Sequence, residues 1–252
     1  MNIARIGFTP VKGGRHTRHD TAELAPAGPV GDRVFCLVDP ARARVLRTVE
    51  NPSLLRTSAR WENGVLSTDL PDTSCEGVPV PTGEVLQVDY WGRCVPVEVV
   101  DGPWAAAYSD FLGFEVVLGR VAHPGDVVYG AGVTLVTTGS LRAASARVGR
   151  EVSSARFRPT FLVDTDGAPP HVEDSWVGRE VQVGEARVRV QGVVPRCAVV
   201  DLDPQTGLAD APVLRTLAGY RRGQGDIGFG VEAVVTATGR VHTGDPVEPG
   251  RG

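Results

Sequence analysis

Short runs of β-branched residues, each ending near glycine, proline or aspartate, recur along most of this chain. Such side chains fit the pleated surface of a sheet, and the residues between the runs favour turns. The spacing predicts a mainly β, α+β fold that contains barrels. The predicted strands are 34–38, 85–88, 95–99, 116–118, 133–136, 161–163, 181–183, 187–190 and 231–235.

Helices are predicted at 104–112, 140–148 and 211–220 only. Ser140 begins the second of these, where its hydroxyl is suited to accept a hydrogen bond from a free backbone N–H group, so we predict it as the N-cap. Residues 71–81 are rich in proline and are predicted to form a loop. Gly184 and Glu185 are predicted to form the turn of a hairpin.

Composition and charge exclude several classes of function. The 252-residue chain is long enough to bury a sizeable core. Its formal net charge of −4 argues against a nucleic-acid partner, because such proteins carry a basic face. No apolar run approaches the roughly 18 to 20 residues that span a bilayer, and residues 1–5 lack the apolar core of a signal peptide. We therefore expect a cytoplasmic protein with no membrane partner.

Four cysteines stand far apart, at positions 36, 75, 94 and 197. With no Cys-x-x-Cys pair among them, they favour reduced thiols over a disulfide framework or a zinc or iron–sulfur site. Cys36 lies inside an apolar run and is predicted to be a core thiol.

Cys197 has a different context from the other cysteines. A free cysteine taken alone is more often a small core residue. Here Pro195 is suited to close a strand, and a turn-forming cluster follows at 203–207. This context predicts a thiol presented at a strand end over a loop, where the neighbouring Arg196 would favour the thiolate.

A series of motifs extends over nearly the whole chain. They are Pro-Val-Lys-Gly at 10–13, Gly-Asp-Arg-Val-Phe-Cys-Leu-Val-Asp at 31–39, Glu-Asn-Pro at 50–52, Arg-Phe-Arg-Pro at 156–159, Glu-Asp-Ser-Trp-Val-Gly at 173–178, Pro-Arg-Cys at 195–197, Asp-Pro-Gln-Thr-Gly at 203–207 and Gly-Asp-Pro-Val at 244–247. In this order they resemble the MOSC family, named after the C-terminal part of molybdenum cofactor sulfurases, and within it the amidoxime-reducing branch. The resemblance implies a smaller N-terminal β-barrel domain at 1–118, a MOSC-type β-barrel at 119–252, and few helices.

The resemblance also implies roles for individual residues. Cys197 would be the thiolate that ligates molybdenum, while Lys12, Arg33 and Arg158 would hold the anionic pyranopterin cofactor. Molybdenum takes soft sulfur ligands, and a phosphate-bearing cofactor needs fixed cations, among which arginine offers bidentate contacts.

Three further residues complete the predicted site. Thr160 stands where reductase members of the family usually carry asparagine, so it is a cofactor ligand of shorter reach. Asp174 and Asp203 are candidate proton carriers in catalysis.

The function implied is a molybdenum-cofactor-dependent reductase of N-hydroxylated small molecules. Its electrons would come from a separate redox protein. The glycine-rich segment 223–228 has the spacing of a dinucleotide-binding fingerprint, but a helix-like stretch precedes it and a strand-like stretch follows, which reverses the order the motif needs. His16 and His19 offer half of a metal site, although their basic neighbours favour exposed histidines.

Two alternatives remain open from the sequence. One is a sulfur carrier or transferase in which Cys197 bears a persulfide for cofactor or metabolite biosynthesis. The other is a non-catalytic module that only binds the cofactor.

Overall fold

A computed structural model describes residues 1–165, 167–223 and 225–250. The strands are β1 (Asn2–Phe8), β2 (Thr17–His19), β3 (Thr21–Ala25), β4 (Gly28–Pro29), β5 (Phe35–Asp39), β6 (Arg44–Val45), β7 (Ser58–Glu62), β8 (Val65–Asp69), β9 (Ser74–Gly77), β10 (Val80–Tyr90), β11 (Arg93–Asp101), β12 (Val117–Val121), β13 (Val133–Thr137), β14 (Phe161–Asp164), β15 (Glu180–Val183), β16 (Ala186–Pro195), β17 (Gly228–Ala237), β18 (Gly239–His242) and β19 (Val247–Pro249). The α-helices are α1 (Trp104–Leu112), α2 (Thr138–Val148) and α3 (Val213–Ala218), with short 3₁₀ helices at Pro52–Arg56, Ser154–Phe157, Val172–Trp176 and Ala198–Asp201.

Five strands close into a barrel in the order β10–β11–β12–β5–β6. β5 is buried on both faces, because its alternating side chains enter two different clusters. Phe35 and Leu37 pack with α1 through Trp104, whereas Cys36 and Val38 pack in the second cluster, with side chains of β10, β11 and β12. The predicted mainly β fold with a smaller barrel near the N-terminus is confirmed.

Eight strands form the second large sheet, in the order β19–β15–β16–β17–β13–β14–β1–β2. One face carries an apolar core that includes Trp176 and Val231. Side chains of α2 and α3 pack in another cluster, where Ala144 and Leu217 meet Phe229 of β17. Two three-stranded sheets, β18–β3–β4 and β7–β8–β9, complete the fold.

The chain crosses between the two large sheets more than once. β1 and β2, at the start of the chain, belong to the eight-stranded sheet, while β12, which contains the predicted boundary at residue 118, is a strand of the barrel. The division into 1–118 and 119–252 stays a prediction. Because of this crossing, the segments that follow β1 and precede β5 lie where the two sheets meet.

Two local predictions are wrong, each for a clear reason. Thr137, not Ser140, caps α2, because its side chain accepts a hydrogen bond from the backbone N–H of Ser140 and starts the helix earlier. Residues 71–81 are not all loop, since they contain β9 and the beginning of β10. Pro81 is tolerated there because it stands beside a register shift in the β10–β11 pairing. In the described part of the chain, no helix has the length and apolar character to cross a membrane.

We expect Cys36→Ala to lower the free energy of unfolding by about 1 kcal/mol, the scale of a small core truncation. The Cys36 side chain is fully buried, and this burial raises the pKa of its thiol to about 12, so it is an inert core thiol. Urea unfolding measures the effect, with the exposed Cys94→Ala as the matched control. An unchanged free energy of unfolding in Cys36→Ala would contradict a core role for this thiol.

Candidate functional site

A cavity of about 410 Å³ lies where the barrel and the eight-stranded sheet meet. Lys12, Arg33, Arg158 and Cys197 all line it. The fold therefore brings together four residues that are far apart in the sequence and that the motifs predict for one site. The other lining residues used below are His16, Arg47, Tyr90, Trp91, Tyr129, Thr134, Arg156, Phe157, Arg196 and Asp226.

Backbone hydrogen bonds fix the two N-terminal cations. The N–H of Lys12 donates to the carbonyl of Phe35 at 2.8 Å, and the N–H of Arg33 donates to the carbonyl of Thr9 at 2.8 Å. The segment after β1 and the segment before β5 are thus held side by side. The buried Asp32 accepts hydrogen bonds from Arg33, one of them from Nε at 2.8 Å, and this ion pair sets the orientation of the guanidinium.

Arg158 arrives from the opposite part of the chain. It ends the 3₁₀ helix Ser154–Phe157, and its Nη2 donates to the carbonyl of Gly14 at 2.8 Å. Arg158 has φ 51° and Arg33 has φ 49°, both in the left-handed region that bulky side chains rarely adopt. Such strain persists only where the surroundings enforce it, and it concentrates at functional sites.

The cavity carries more positive charge than its one described lining carboxylate, the exposed Asp226, can balance. Burial, together with the nearby Arg158 and Arg33, lowers the pKa of Lys12 to about 7. Burial lowers the pKa of Arg158 to about 10, with Arg33 as a second cause. Within the described residues, no carboxylate forms an ion pair with Lys12, whose Nζ lies 5.4 Å from the centroid of the Tyr90 ring. A bound anion would stabilise all three cations.

Two buried polar atoms at the cavity also lack partners. Nδ1 of His16 and the hydroxyl of Tyr90 have no hydrogen-bond partner in the described part of the chain. Burial and the surrounding cations hold the pKa of His16 well below its usual range, so its imidazole is neutral at pH 7. The expectation that His16 is exposed is wrong, since it is only 7% exposed. Because unsatisfied buried polar groups cost about 1–3 kcal/mol each, these atoms fit a polar ligand.

Cys197 lies two residues beyond the end of β16, and its thiol is exposed. The predicted presentation at a strand end is therefore observed. The effect of Arg196 on the thiolate stays a prediction, and its guanidinium donates to the carbonyls of Phe157 and Phe229 at 2.7–2.8 Å. It ties β16 to neighbouring segments and so fixes the position from which Cys197 projects.

Arg156 supports the other side of this loop. Nη2 of its buried guanidinium donates to both carboxylate oxygens of Asp210 at 2.6 and 2.8 Å, and Nη1 donates to the carbonyls of Asp201 and Leu202. The 3₁₀ helix Ala198–Asp201, which Cys197 precedes, is therefore anchored on both sides. The sequence motif contains Arg156, but its partner stands 54 positions away, and no local pattern reveals the pair.

Thr160, Asp174 and Asp203 are not among the described residues that line the cavity. Thr160 is buried, and its hydroxyl accepts a hydrogen bond from the N–H of Thr134 at 3.1 Å. Asp174 forms an ion pair with Arg221 at 2.7 Å. We therefore assign Thr160, Asp174 and Asp203 no step in the chemistry of the site.

Asp203 is used locally by its own turn. Its Oδ1 accepts hydrogen bonds from the N–H groups of Thr206 and Gln205, each at 2.9 Å. These bonds hold the pKa of Asp203 below its usual range, so its carboxyl group is a poor proton donor near neutral pH.

An aromatic rim that the sequence did not suggest borders the cavity. Trp91 and Gly92 form the two-residue tip of the β10–β11 hairpin, with φ 55° and 78°. Trp91 is 46% exposed, the Arg47 guanidinium lies 4.2 Å from its ring centroid, and the ring of Tyr129 lies 5.5 Å away. The available signal was the glycine after Trp91 between two strands, which is typical of a tight hairpin loop.

No group of three or more histidine, cysteine, aspartate or glutamate side chains suited to a metal ion occurs in the part of the chain that the structure describes. His19 is instead stacked on Phe8, with the ring centroids 3.7 Å apart. A metal placed beside Cys197 would need most of its ligands from an accompanying organic cofactor.

Comparison with known proteins identifies the family. The profile of the MOSC domain matches residues 117–248, more than half of the chain, and the profile of the MOSC N-terminal beta barrel domain matches residues 1–99. The chain belongs to the MOSC family. Within it, the chain is 26% identical over 289 positions to mitochondrial amidoxime reducing component 2 of Macaca fascicularis, covering 97% of this chain and 82% of that protein.

Other MOSC relatives match in part. Mitochondrial amidoxime reducing component 2 of Rattus norvegicus is 29% identical over 244 positions, covering 86% of this chain and 69% of that protein. The molybdenum cofactor sulfurase of Oryza sativa is 37% identical over 82 residues, which are 32% of this chain and 10% of the sulfurase. The matched segment, about a third of this chain, therefore corresponds to only about a tenth of the rice sulfurase.

Proposed function

We propose that this MOSC protein binds an anionic pyranopterin molybdenum cofactor in the cavity and reduces N-hydroxylated small molecules, with electrons from a separate redox protein. The observation that carries the proposal is the cluster of Lys12, Arg33 and Arg158 in one cavity with the exposed thiol of Cys197. Relatives named for amidoxime reduction support the reaction class.

Each cavity residue has a distinct part in holding the cofactor. Arg158 and Arg33 are fixed by Gly14 and Asp32, so their remaining donors are preorganised to bind a phosphate group. Lys12 adds a third cation without a carboxylate of its own. The thiolate of Cys197 is a soft ligand of the kind that molybdenum takes. The buried His16 and Tyr90 offer hydrogen bonds rather than charge.

The chemistry divides between the cofactor and the protein. When bound, the cofactor supplies the two-electron reduction, in which an N–OH group becomes N–H and the oxygen leaves as water with two protons. The protein positions the cofactor with the cations, holds the metal with Cys197, and presents a rim at which the substrate binds. Asp174 and Asp203 do not line the cavity, so neither is assigned as the proton donor.

We expect Trp91→Ala to raise KM for flat aromatic N-hydroxylated substrates about two- to tenfold, the effect of losing one stacking contact of about 0.5–1.5 kcal/mol. The value of kcat should change less, because Trp91 lies at the rim. Steady-state kinetics measures both, and Trp91→Phe is the matched control that keeps a ring. An unchanged KM in Trp91→Ala would remove the rim from substrate binding.

A sulfur carrier is the second candidate, and the exposure of Cys197 is the observation that favours it. A persulfide needs an accessible thiol, which this residue provides. A persulfide carrier does not require three cations in the same cavity. A carrier would be active without molybdenum, whereas the reductase would not.

One experiment tests the proposal and separates these candidates. The chain is expressed in a host that makes the cofactor, its molybdenum content is measured, and an N-hydroxylated substrate is added with NADH and then with reduced viologen. We expect about one molybdenum per chain, no turnover with NADH alone, and turnover with viologen. Turnover with NADH alone would refute the need for a partner. Absence of turnover with viologen at full molybdenum loading would refute the reductase function.

A further inference from the structure

Lys12 is the only lysine of the chain, and all the other residues among its 26 Lys+Arg are arginines. It lines the cationic cavity, and its Nζ stands over the Tyr90 ring. A primary amine in this place differs from a surface lysine, because it lines a cavity together with Arg33 and Arg158.

We propose that Lys12 is an acylation site whose acyl donors are small acyl phosphates. The lone pair of Nζ attacks the carbonyl carbon, and an N–C bond forms. The bond between that carbon and the phosphate oxygen breaks, and the phosphate leaves with the electron pair. Nζ loses its proton to the departing phosphate, so the products are an amide and inorganic phosphate.

The two arginines select the phosphate-bearing donor. Arg158 donates one hydrogen bond to Gly14, and Arg33 is oriented by Asp32, so both guanidinium groups are held in place while they line the cavity. A fixed guanidinium binds phosphate oxygens through paired N–H groups. A phosphate bound there places the adjoining acyl carbon within the same cavity as Nζ.

The surroundings also favour the neutral, nucleophilic amine. Burial and the nearby Arg158 and Arg33 lower the pKa of Lys12, whereas Asp32 and Cys36 raise it. The resulting pKa of Lys12 is about 7. His16 and Tyr90 are neutral at pH 7 and do not alter this balance. About half of the amine is neutral at pH 7, compared with roughly one part in a few thousand for an ordinary lysine of pKa about 10.4.

Acylation would remove one of the three cations and fill part of the cavity. It would therefore block entry of the phosphate-bearing cofactor, so the modification would inhibit cofactor loading. This consequence rests on the proposed function. The modification itself does not, because it needs only the amine, the two arginines and the cavity.

The single lysine provides a direct assay. The 252-residue chain, purified from a host that makes no pyranopterin, is incubated with acetyl phosphate at pH 7, denatured and digested with a lysine-specific protease. Unmodified chains are cut once, after Lys12, and acetylated chains resist. Mass spectrometry compares acetylation of Lys12 with that of the exposed Met1 amine, which is the internal reference.

We expect acetyl phosphate to modify Lys12 at least about tenfold faster than Met1, the effect of one charge-assisted contact, and inorganic phosphate to protect Lys12. Arg158→Ala should lower the Lys12 to Met1 ratio by about tenfold with acetyl phosphate, but much less with p-nitrophenyl acetate, a neutral donor of the same acetyl group. Arg179→Ala, on the exposed surface, is the charge-matched control.

Two results would overturn the proposal. One is a Lys12 to Met1 ratio that is equal for acetyl phosphate and p-nitrophenyl acetate, because the phosphate would then have no docking role. The other is a failure of inorganic phosphate to protect Lys12 in the wild-type chain, a test that stands even if Arg158→Ala does not fold. Rapid, phosphate-sensitive acetylation in a chain that never loads molybdenum would uphold the modification while refuting the proposed function.

Discussion

Cys197→Ala is expected to abolish N-hydroxy reductase activity while leaving the free energy of unfolding nearly unchanged. The thiol is exposed and precedes a 3₁₀ helix, so its removal takes away little packing. The backbone around it is held by Arg196 and Arg156, whose hydrogen bonds do not involve the thiol. Loss of activity would therefore report the loss of a metal ligand and not the loss of the fold.

Three measurements on the Cys197 variants make this prediction specific. Activity, molybdenum per chain and urea unfolding are compared for wild type, Cys197→Ala and the control Cys94→Ala, which removes another exposed thiol. We expect the molybdenum content to fall in the first variant only. Full reductase activity in Cys197→Ala would show that the metal does not depend on this residue. Cys197→Ser tests the alternative of an oxygen ligand in the same position.

Much of the sheet structure could be predicted because the strands are locally encoded. Short β-branched runs gave the positions of β5, β11, β13, β14, β15 and β17, and the glycine at 184 gave the β15–β16 hairpin. These elements depend on the side chains of their own segment. Helix α1 was predicted at its observed bounds for the same reason.

Other elements depend on partners far along the chain. β1 has an arginine at position 5, yet it is held between β14 and β2 in the eight-stranded sheet. β9 and the beginning of β10 lie in a proline-rich stretch that becomes strand only through pairing with β8 and β11. No local pattern in these segments announces the partner strands that stabilise them.

The candidate site divides in the same way. The motifs indicated Lys12, Arg33, Arg158 and Cys197, and the fold brings all four to one cavity. Asp174 could not be judged from its motif, because the Arg221 that pairs with it stands 47 positions away. The aromatic rim was missed because the barrel hairpin and the loop that carries Tyr129 approach each other only in the folded chain.

Arg158 offers a sharper test of the cofactor site than Arg33 does. Arg33→Ala would leave the buried carboxylate of Asp32 without its cation, and a lost buried partner commonly costs about 3–5 kcal/mol of stability. A fold effect would then obscure the binding effect. Arg158 has no carboxylate partner among the described residues and donates to the carbonyl of Gly14 only. Because alanine and arginine both carry a Cβ atom, the left-handed backbone at position 158 is equally strained in Arg158→Ala and in wild type.

We expect Arg158→Ala to bind the cofactor about tenfold to a hundredfold more weakly, the equivalent of losing a charge-assisted contact of about 1.5–3 kcal/mol. The protein should purify with less molybdenum, while activity per bound molybdenum changes much less than activity per chain. Arg179→Ala, which removes an exposed arginine, should match wild type in both measurements. Equal cofactor occupancy in Arg158→Ala and wild type would contradict the role of this cation. A loss of activity at unchanged occupancy would instead place Arg158 in the reaction itself.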